Sequence, residues 1–219
     1  MNAPVFFPQR DVFFGATSSL ADLIACSAVG DHWGEWSCLE GFTVGGIAGH
    51  IVRSVQALVD LLERPIPEGA RIVTPAQFFG VDKPKGPVLD DPIAKFIVAD
   101  GENRADFGQG AVVGTFLELV DQAERVLGDL TATTIIPTIR IPDGVTFLGI
   151  YLTTRIVELV VHGDDLASSV GIDWQPPFAA GALAIGLLVQ IASEQNGTVE
   201  VLRVLARSER AASDVFPVL

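Results

Sequence analysis

The segment from Arg155 to Asp165 constrains the fold most, because it is apolar nearly all round and carries a single polar stripe. On a helix that advances by about 100° per residue, four polar side chains fall within an arc of roughly 80°. They are Arg155, Glu158, His162 and Asp165. A helix that is apolar on most of its surface is normally buried. Its carboxylate and imidazole must then be paired, hydrogen-bonded or bound to a metal, because leaving them bare costs several kcal/mol.

Glu158 and His162 lie four residues apart, so their side chains lie on the same face of the helix and can bind one ion. A second histidine, His50, lies about a hundred residues upstream in another predicted helix. Three glycines within residues 45–49 precede it. Each glycine destabilises a helix by roughly 1 kcal/mol relative to alanine. Their presence here predicts a close approach to His50, either by another backbone or by a ligand.

Taken alone, His50 is interpreted as a core histidine that is hydrogen-bonded to a buried carboxylate. Together with Glu158 and His162 it predicts a metal site. Two histidines and one glutamate are typical of catalytic zinc sites, in which three protein ligands leave a position open for water or substrate. The same ligands suit nickel or non-haem iron. A structural zinc site more often has four protein ligands, and Cys26 and Cys38 form no metal-binding motif that would supply the fourth.

Three further side chains are candidates for supporting roles around this site. Asp165 either orients a metal ligand from outside the coordination shell or forms a buried salt bridge with Arg155. Arg53 lies one turn after His50 on the same side of its helix. It either contacts an anionic substrate group or forms an ion pair with a neighbouring acid, and we favour the ion pair. Arg155 is a second candidate contact for a substrate anion.

Hydrophobic periodicity and helix-breaking residues predict an all-α protein, a four-helix bundle with long crossover loops and two additional C-terminal helices. The predicted helices are Asp11–Val29, a helix capped by Thr43 and ending near Leu62, Arg104–Leu127, Val145–Val170, and two helices at about 178–194 and 198–209. Residues 64–92 are predicted to be a long irregular connection. No strand is expected, since the β-branched run from Thr133 to Ile141 is short and contains Pro137. We expect a single domain over 1–219, with the bundle at about 11–171 and the C-terminal helices at about 178–210.

Composition excludes several classes of partner. The net charge of −13 argues against nucleic acid, which requires a basic surface. The longest apolar run, Phe178–Val189, is shorter than the ~20 residues that a bilayer requires, so we expect a core helix and no membrane partner. No signal peptide is visible at the N-terminus, and a cytoplasmic location is expected. Cys26 and Cys38 are expected to be reduced thiols.

Two long motifs resemble one known family. The stretch from Trp36 to His50 and the stretch from Tyr151 to Ala167 are similar to the two metal-ligand motifs of mycothiol-dependent maleylpyruvate isomerase N-terminal domains, in the same order. The resemblance implies a DinB-like four-helix bundle of actinobacterial type. It also implies one divalent metal, usually zinc, on His50, Glu158 and His162, with mycothiol as a thiol co-substrate.

The resemblance further implies chemistry in which the metal activates the thiol as a nucleophile. The substrates are then a small-molecule thiol and a small electrophile, and the reaction is S-transfer or isomerisation. The full isomerase has a separate C-terminal domain where this chain has two predicted helices, which favours a transferase. Two alternatives stay open: a non-catalytic metal- or ligand-binding helical module, and a hydrolase that uses Asp165 as general base. A homodimer is also left open.

Overall fold

The computed structural model describes residues 8–79, 92–139, 141–207 and 209. These residues are predominantly helical, which confirms the predicted all-α class. The helices are α1 Pro8–Ala25, α2 Ser27–Asp31, α3 Val44–Leu62, α4 Pro75–Phe79, α5 Pro92–Ala105, α6 Gln109–Leu127, α7 Leu148–Ser169, α8 Phe178–Asn196 and α9 Thr198–Ala206. The strands are β1 Arg71–Ile72, β2 Ile135–Pro137 and β3 Gly144–Phe147.

Four long helices form the bundle that the sequence predicts. Helix α3 packs against α6 and α7, and α1 packs against the same two helices from the opposite side. The core between them consists of large apolar side chains, several of which are fully buried: Phe13, Leu20, Ile24, Ile47, Ile51, Leu58, Phe116, Leu127, Leu152 and Ile156. Helix α5 packs along α3, α8 packs on α7, and α9 packs on α8.

Several predicted boundaries were wrong, and each has a local cause. The first predicted helix is interrupted at Cys26, which is extended, so that α2 is a separate turn of helix. The third predicted helix begins at Gln109 rather than Arg104, because Gly108 adopts a φ of 82° and separates it from α5, a helix that was not predicted. The fourth begins at Leu148 rather than Val145, because Val145 lies in β3.

The prediction that the chain contains no strand was also wrong. A small three-stranded sheet has the order β1-β3-β2, with β1 parallel and β2 antiparallel to β3. Ile135 pairs with Phe147 and Pro137 with Val145, so the β-branched run does form a strand despite its proline. The predicted irregular connection 64–92 contains β1 and α4, and its residues 80–91 lie outside the described part of the chain.

The glycines before His50 allow a second helix to approach α3. A Cβ added at Gly49 would lie 2.3 Å from the carbonyl oxygen of Gly101 in α5, and one added at Gly101 would lie 2.6 Å from the carbonyl oxygen of Gly46. Glu102, also in α5, accepts hydrogen bonds from the backbone N–H and hydroxyl of Thr43, the N-cap of α3. The close approach that the glycines predict is therefore made by a neighbouring helix.

Helix α8 is less buried than predicted. Its Ala184, Leu187 and Ile191 pack inwards, but Phe178 is 90% exposed and Ile185 is 64% exposed. The expectation of a core helix was therefore wrong for one face of α8. Among the described helices, α8 alone is long and apolar enough to cross a membrane by length and composition, and 28% of that window is buried.

The close packing of α3 on α5 generates a stability prediction. Gly49→Ala places a methyl group against a backbone oxygen that cannot move aside freely, and overpacking of this kind destabilises a protein by about 1–3 kcal/mol. Denaturant unfolding of chelator-treated protein measures the change. Gly114→Ala is the matched control, since Gly114 lies inside α6 with open space around it and alanine there stabilises a helix by up to about 1 kcal/mol. Equal free energies of unfolding for the two variants would contradict the packing argument.

Candidate metal centre

Helices α3 and α7 bring together the three residues that the sequence singles out. His50 lies on α3, whereas Glu158 and His162 lie one turn apart on α7. The Nε2 atoms of the two histidines are 3.2 Å apart. Oε2 of Glu158 lies 3.3 Å from Nε2 of His162 and 3.8 Å from Nε2 of His50. Three potential ligand atoms thus converge on one point between two helices.

The spacing of these atoms fits a divalent ion. A zinc ion binds nitrogen and oxygen ligands at about 2.0–2.2 Å in a tetrahedron, which separates neighbouring ligand atoms by roughly 3.3–3.5 Å. The three atoms facing one another all lie within 4.8 Å. Two imidazole nitrogens and one carboxylate oxygen are chemically suited to zinc, nickel or iron. The residues present therefore could hold the metal that the sequence predicts, with three protein ligands.

The hydrogen bond that His162 donates to Asp165 orients the His162 ring towards this centre. Oδ2 of Asp165 lies 3.0 Å from Nδ1 of His162, so Nδ1 donates a hydrogen bond there, and the neutral imidazole that a metal requires would present the lone pair of Nε2 to the centre. Of the two interpretations of Asp165, the orienting contact is therefore the one that the structure contains. Nδ1 of His50 has no hydrogen-bond partner within the described residues, and the ring packs against Phe42 instead.

Arg155 forms an ion pair with Oε1 of Glu158, the oxygen that is not in contact with the two histidines. Its Nη2 lies 3.7 Å from Oε1 of Glu158, and its Nε donates a hydrogen bond to the hydroxyl of Thr154. The guanidinium lies over the rings of Phe78 and Tyr151. Arg155 is buried and forms its ion pair with Glu158 rather than with Asp165. The second oxygen of Glu158, Oε2, is the one that faces the two histidines.

Arg53 forms the ion pair that we favoured. Its Nη1 lies 3.5 Å from Oδ2 of Asp100 in α5, and its guanidinium lies 4.9 Å from the centre of the Phe96 ring. Oδ2 of Asp100 also accepts a hydrogen bond from Nε of Arg104 at 3.0 Å. Two guanidinium groups therefore share one carboxylate beside the site.

Burial and neighbouring charges give the two histidines opposite acid–base behaviour in the absence of a metal. Burial, reinforced by the charge of His162, lowers the pKa of His50 to about 3. Burial also opposes the charged form of His162, but hydrogen bonds to Asp165 and Glu158 outweigh it and raise the pKa to about 9. Burial alone would raise the pKa of Glu158, whereas the hydrogen bond from His162 and the charge of Arg155 hold it far below its usual range.

A cavity of about 360 Å³ adjoins the centre, and His50 and Glu158 form part of its wall. The remaining wall is mostly apolar and comes from α3, α4, α5, α7 and the segment after β2: Arg53, Ser54, Ala57, Phe78, Ile93, Phe96, Ile97, Ile139, Tyr151 and Arg155. The sequence analysis did not identify the contribution of α5. The spacing of Ile93, Phe96 and Ile97 at i, i+3 and i+4 was the signal that could have revealed it.

The opposite pKa shifts predict a stability maximum near pH 6.5 for metal-free protein. In the folded protein His162 keeps its proton up to about pH 9. Its contribution to the free energy of unfolding is therefore complete below pH 6.5 and is lost as the pH rises through 9. Folded His50 stays neutral down to about pH 3, so its contribution is present above pH 6.5 and is lost as the pH falls towards 3. Denaturant unfolding in the presence of a chelator, repeated across this range, measures the profile.

A histidine variant tests whether His162 causes the loss of stability between pH 6.5 and 9. His162→Gln should flatten the decline in the free energy of unfolding between pH 6.5 and 9. His32→Gln is the control, since His32 bonds the carbonyl of Ala28 outside the site. An unchanged decline in His162→Gln would contradict the assignment.

The comparison with known protein families agrees with the resemblance that the two sequence motifs indicate. No curated protein and no solved structure matches the chain. The sequence model of the mycothiol maleylpyruvate isomerase N-terminal domain matches residues 15–167, more than half of the chain. This range contains all four bundle helices except the ends of α1 and α7, and it includes His50, Glu158 and His162. The chain therefore belongs to the mycothiol maleylpyruvate isomerase N-terminal domain family.

Proposed function

We propose that this protein is a divalent-metal-dependent enzyme that activates a low-molecular-weight thiol, mycothiol in view of its family, for reaction with a small electrophile. The observation that carries the proposal is the convergence of two histidine nitrogens and one glutamate oxygen beside a cavity. Three protein ligands leave room for an exogenous ligand, and the cavity supplies space for one. These features favour an enzyme over a closed, non-catalytic module.

His50, Glu158 and His162 would hold the ion, and zinc suits this combination of nitrogen and oxygen ligands. A divalent ion bound there would lower the pKa of a thiol that coordinates it and so supply a thiolate near neutral pH. The roles of the protein side chains follow from their contacts. Asp165 holds the proton of His162 on Nδ1, and Arg155 compensates the buried charge of Glu158.

The reaction class is addition of the thiol sulfur to an electrophilic carbon. In S-transfer a carbon–sulfur bond forms and a leaving group departs with its electron pair, while the thiol proton goes to solvent. In isomerisation the thiol adds to a double bond, the new single bond rotates, and the thiol is eliminated. The apolar wall around Phe78 and Phe96 would limit water near the reacting carbon and so favour either course over hydrolysis.

Metal content and thiol transfer test the proposal together. Protein purified without added metal should contain about one divalent ion per chain, and His162→Ala should lose both the ion and thiol transfer to a panel of electrophiles. Elemental analysis and chromogenic transfer assays with mycothiol measure these outcomes. His32→Ala, at the one histidine outside the centre, should retain both. A His162→Ala protein that still carries one ion per chain would refute the assignment.

Asp165 provides a second test of the centre. Asp165→Asn keeps the size of the side chain but removes the carboxylate that hydrogen-bonds His162, and loss of such a contact weakens metal binding by roughly 10- to 100-fold. Competition with a chromogenic zinc chelator measures the affinity. Asp164→Asn is the matched control, because the neighbouring Asp164 is exposed to solvent. Equal zinc affinities in the two variants would contradict the role given to Asp165.

A further inference from the structure

The cavity beside the metal centre has the size and lining of a site for a small organic molecule. Its volume of about 360 Å³ lies at the lower end of the roughly 300–1,000 Å³ of typical ligand pockets. Aromatic and aliphatic side chains form most of its wall, with Phe78 from α4 and Phe96 from α5 among them. Among the described residues, the arginines Arg53 and Arg155 supply its cationic groups.

The two arginines are not equivalent. Arg155 is buried, is flanked by two rings and is paired with a ligand of the centre, Glu158. Its charge is therefore already compensated inside the site. The side chain of Arg53 is 34% exposed, and its partner Asp100 also accepts a shorter contact from Arg104. Within the described part of the chain, one carboxylate shared between two guanidinium groups leaves an excess of positive charge at the Arg53 end of the cavity.

Arg53 lies near the centre because it shares helix α3 with His50. Arg53 follows His50 by three residues on α3, which corresponds to an axial rise of about 4.5 Å. Phe96 lies against the guanidinium face of Arg53, so an approaching anion meets the edge that carries the N–H donors.

We propose that Arg53 makes the enzyme specific for electrophiles with one carboxylate on an apolar or aromatic framework, an inference that rests on the proposed function. The carboxylate lies at Arg53, and the reacting carbon lies at the other end of the cavity, beside His50, Glu158 and His162. The framework between them packs against Phe96. The substrate class is thus a small monoanionic electrophile rather than a neutral one.

Two aryl chlorides of similar shape, one charged and one neutral, test this specificity. The probes are 4-chloro-3,5-dinitrobenzoate and its neutral amide, 4-chloro-3,5-dinitrobenzamide, with mycothiol as the thiol. In both, the sulfur–carbon bond forms, the carbon–chlorine bond breaks, chloride leaves with the electron pair and the thiol proton goes to solvent. The uncatalysed rate is subtracted for each probe. Metal-loaded wild type should favour the carboxylate by about tenfold or more in kcat/KM, as expected for a charge-assisted hydrogen bond.

An arginine variant and a matched control test whether Arg53 causes the preference for the carboxylate probe. In Arg53→Met the ratio of the two kcat/KM values should fall close to one. Arg64→Met is the matched control, since Arg64 is an exposed arginine just after α3 that does not line this cavity. That variant should keep the wild-type ratio. A carboxylate preference that persists in Arg53→Met, or a wild type with no preference, overturns the inference.

Binding without reaction separates this inference from the proposed function. Titration calorimetry of metal-free protein with 3,5-dinitrobenzoate and 3,5-dinitrobenzamide, which lack the leaving group, should show tighter binding of the carboxylate in wild type and its loss in Arg53→Met. Arg53-dependent binding without thiol transfer to any electrophile would refute the proposed function and leave the specificity intact. Thiol transfer without Arg53-dependent discrimination would refute the specificity alone.

Discussion

The contact between α3 and α7 inside the bundle is the constraint on which the site depends. These helices are far apart in the sequence, yet their packing brings Nε2 of His50 within 3.2 Å of Nε2 of His162. The same two helices contribute fully buried apolar side chains to the core, including Ile47 and Ile51 from α3 and Leu152 and Ile156 from α7. The three-residue centre is therefore a product of core packing, and its geometry is as rigid as the helices that carry it.

Buried charge is tolerated at this contact because each charged group has a partner. Glu158 lies between His162 and Arg155, and its two oxygens face different neighbours. Asp165 compensates His162 from the other side. Removal of one member leaves another charge buried without compensation, which costs more than the pair contributes. Retention of such a network in a core is consistent with a functional role rather than with stability, since an apolar core of the same volume is often as stable.

Local periodicity predicts the parts of this protein that lie on single helices, and tertiary contacts decide the rest. The polar stripe on α7 follows from helical spacing alone, and Thr43 was predicted correctly as the N-cap of α3. The partner of Asp165 was left open, because His162 and Arg155 share its face of the helix and only side-chain geometry separates them. The cavity was missed because four helices form it. The break at Gly108 was missed because glycine is also tolerated within helices.

Helix α5 links the stability of the bundle to the shape of the cavity. One side of α5 lies against the glycines of α3, where backbone atoms of Gly49 and Gly101 come close together. The same helix carries Phe96 and Asp100, which fix the position of Arg53. A larger residue in the α3–α5 contact would therefore displace the wall of the cavity as well as the helix. The glycines next to His50 thus serve the site indirectly: they do not line the cavity, but they set the distance between α3 and α5, whose side chains form part of the cavity wall.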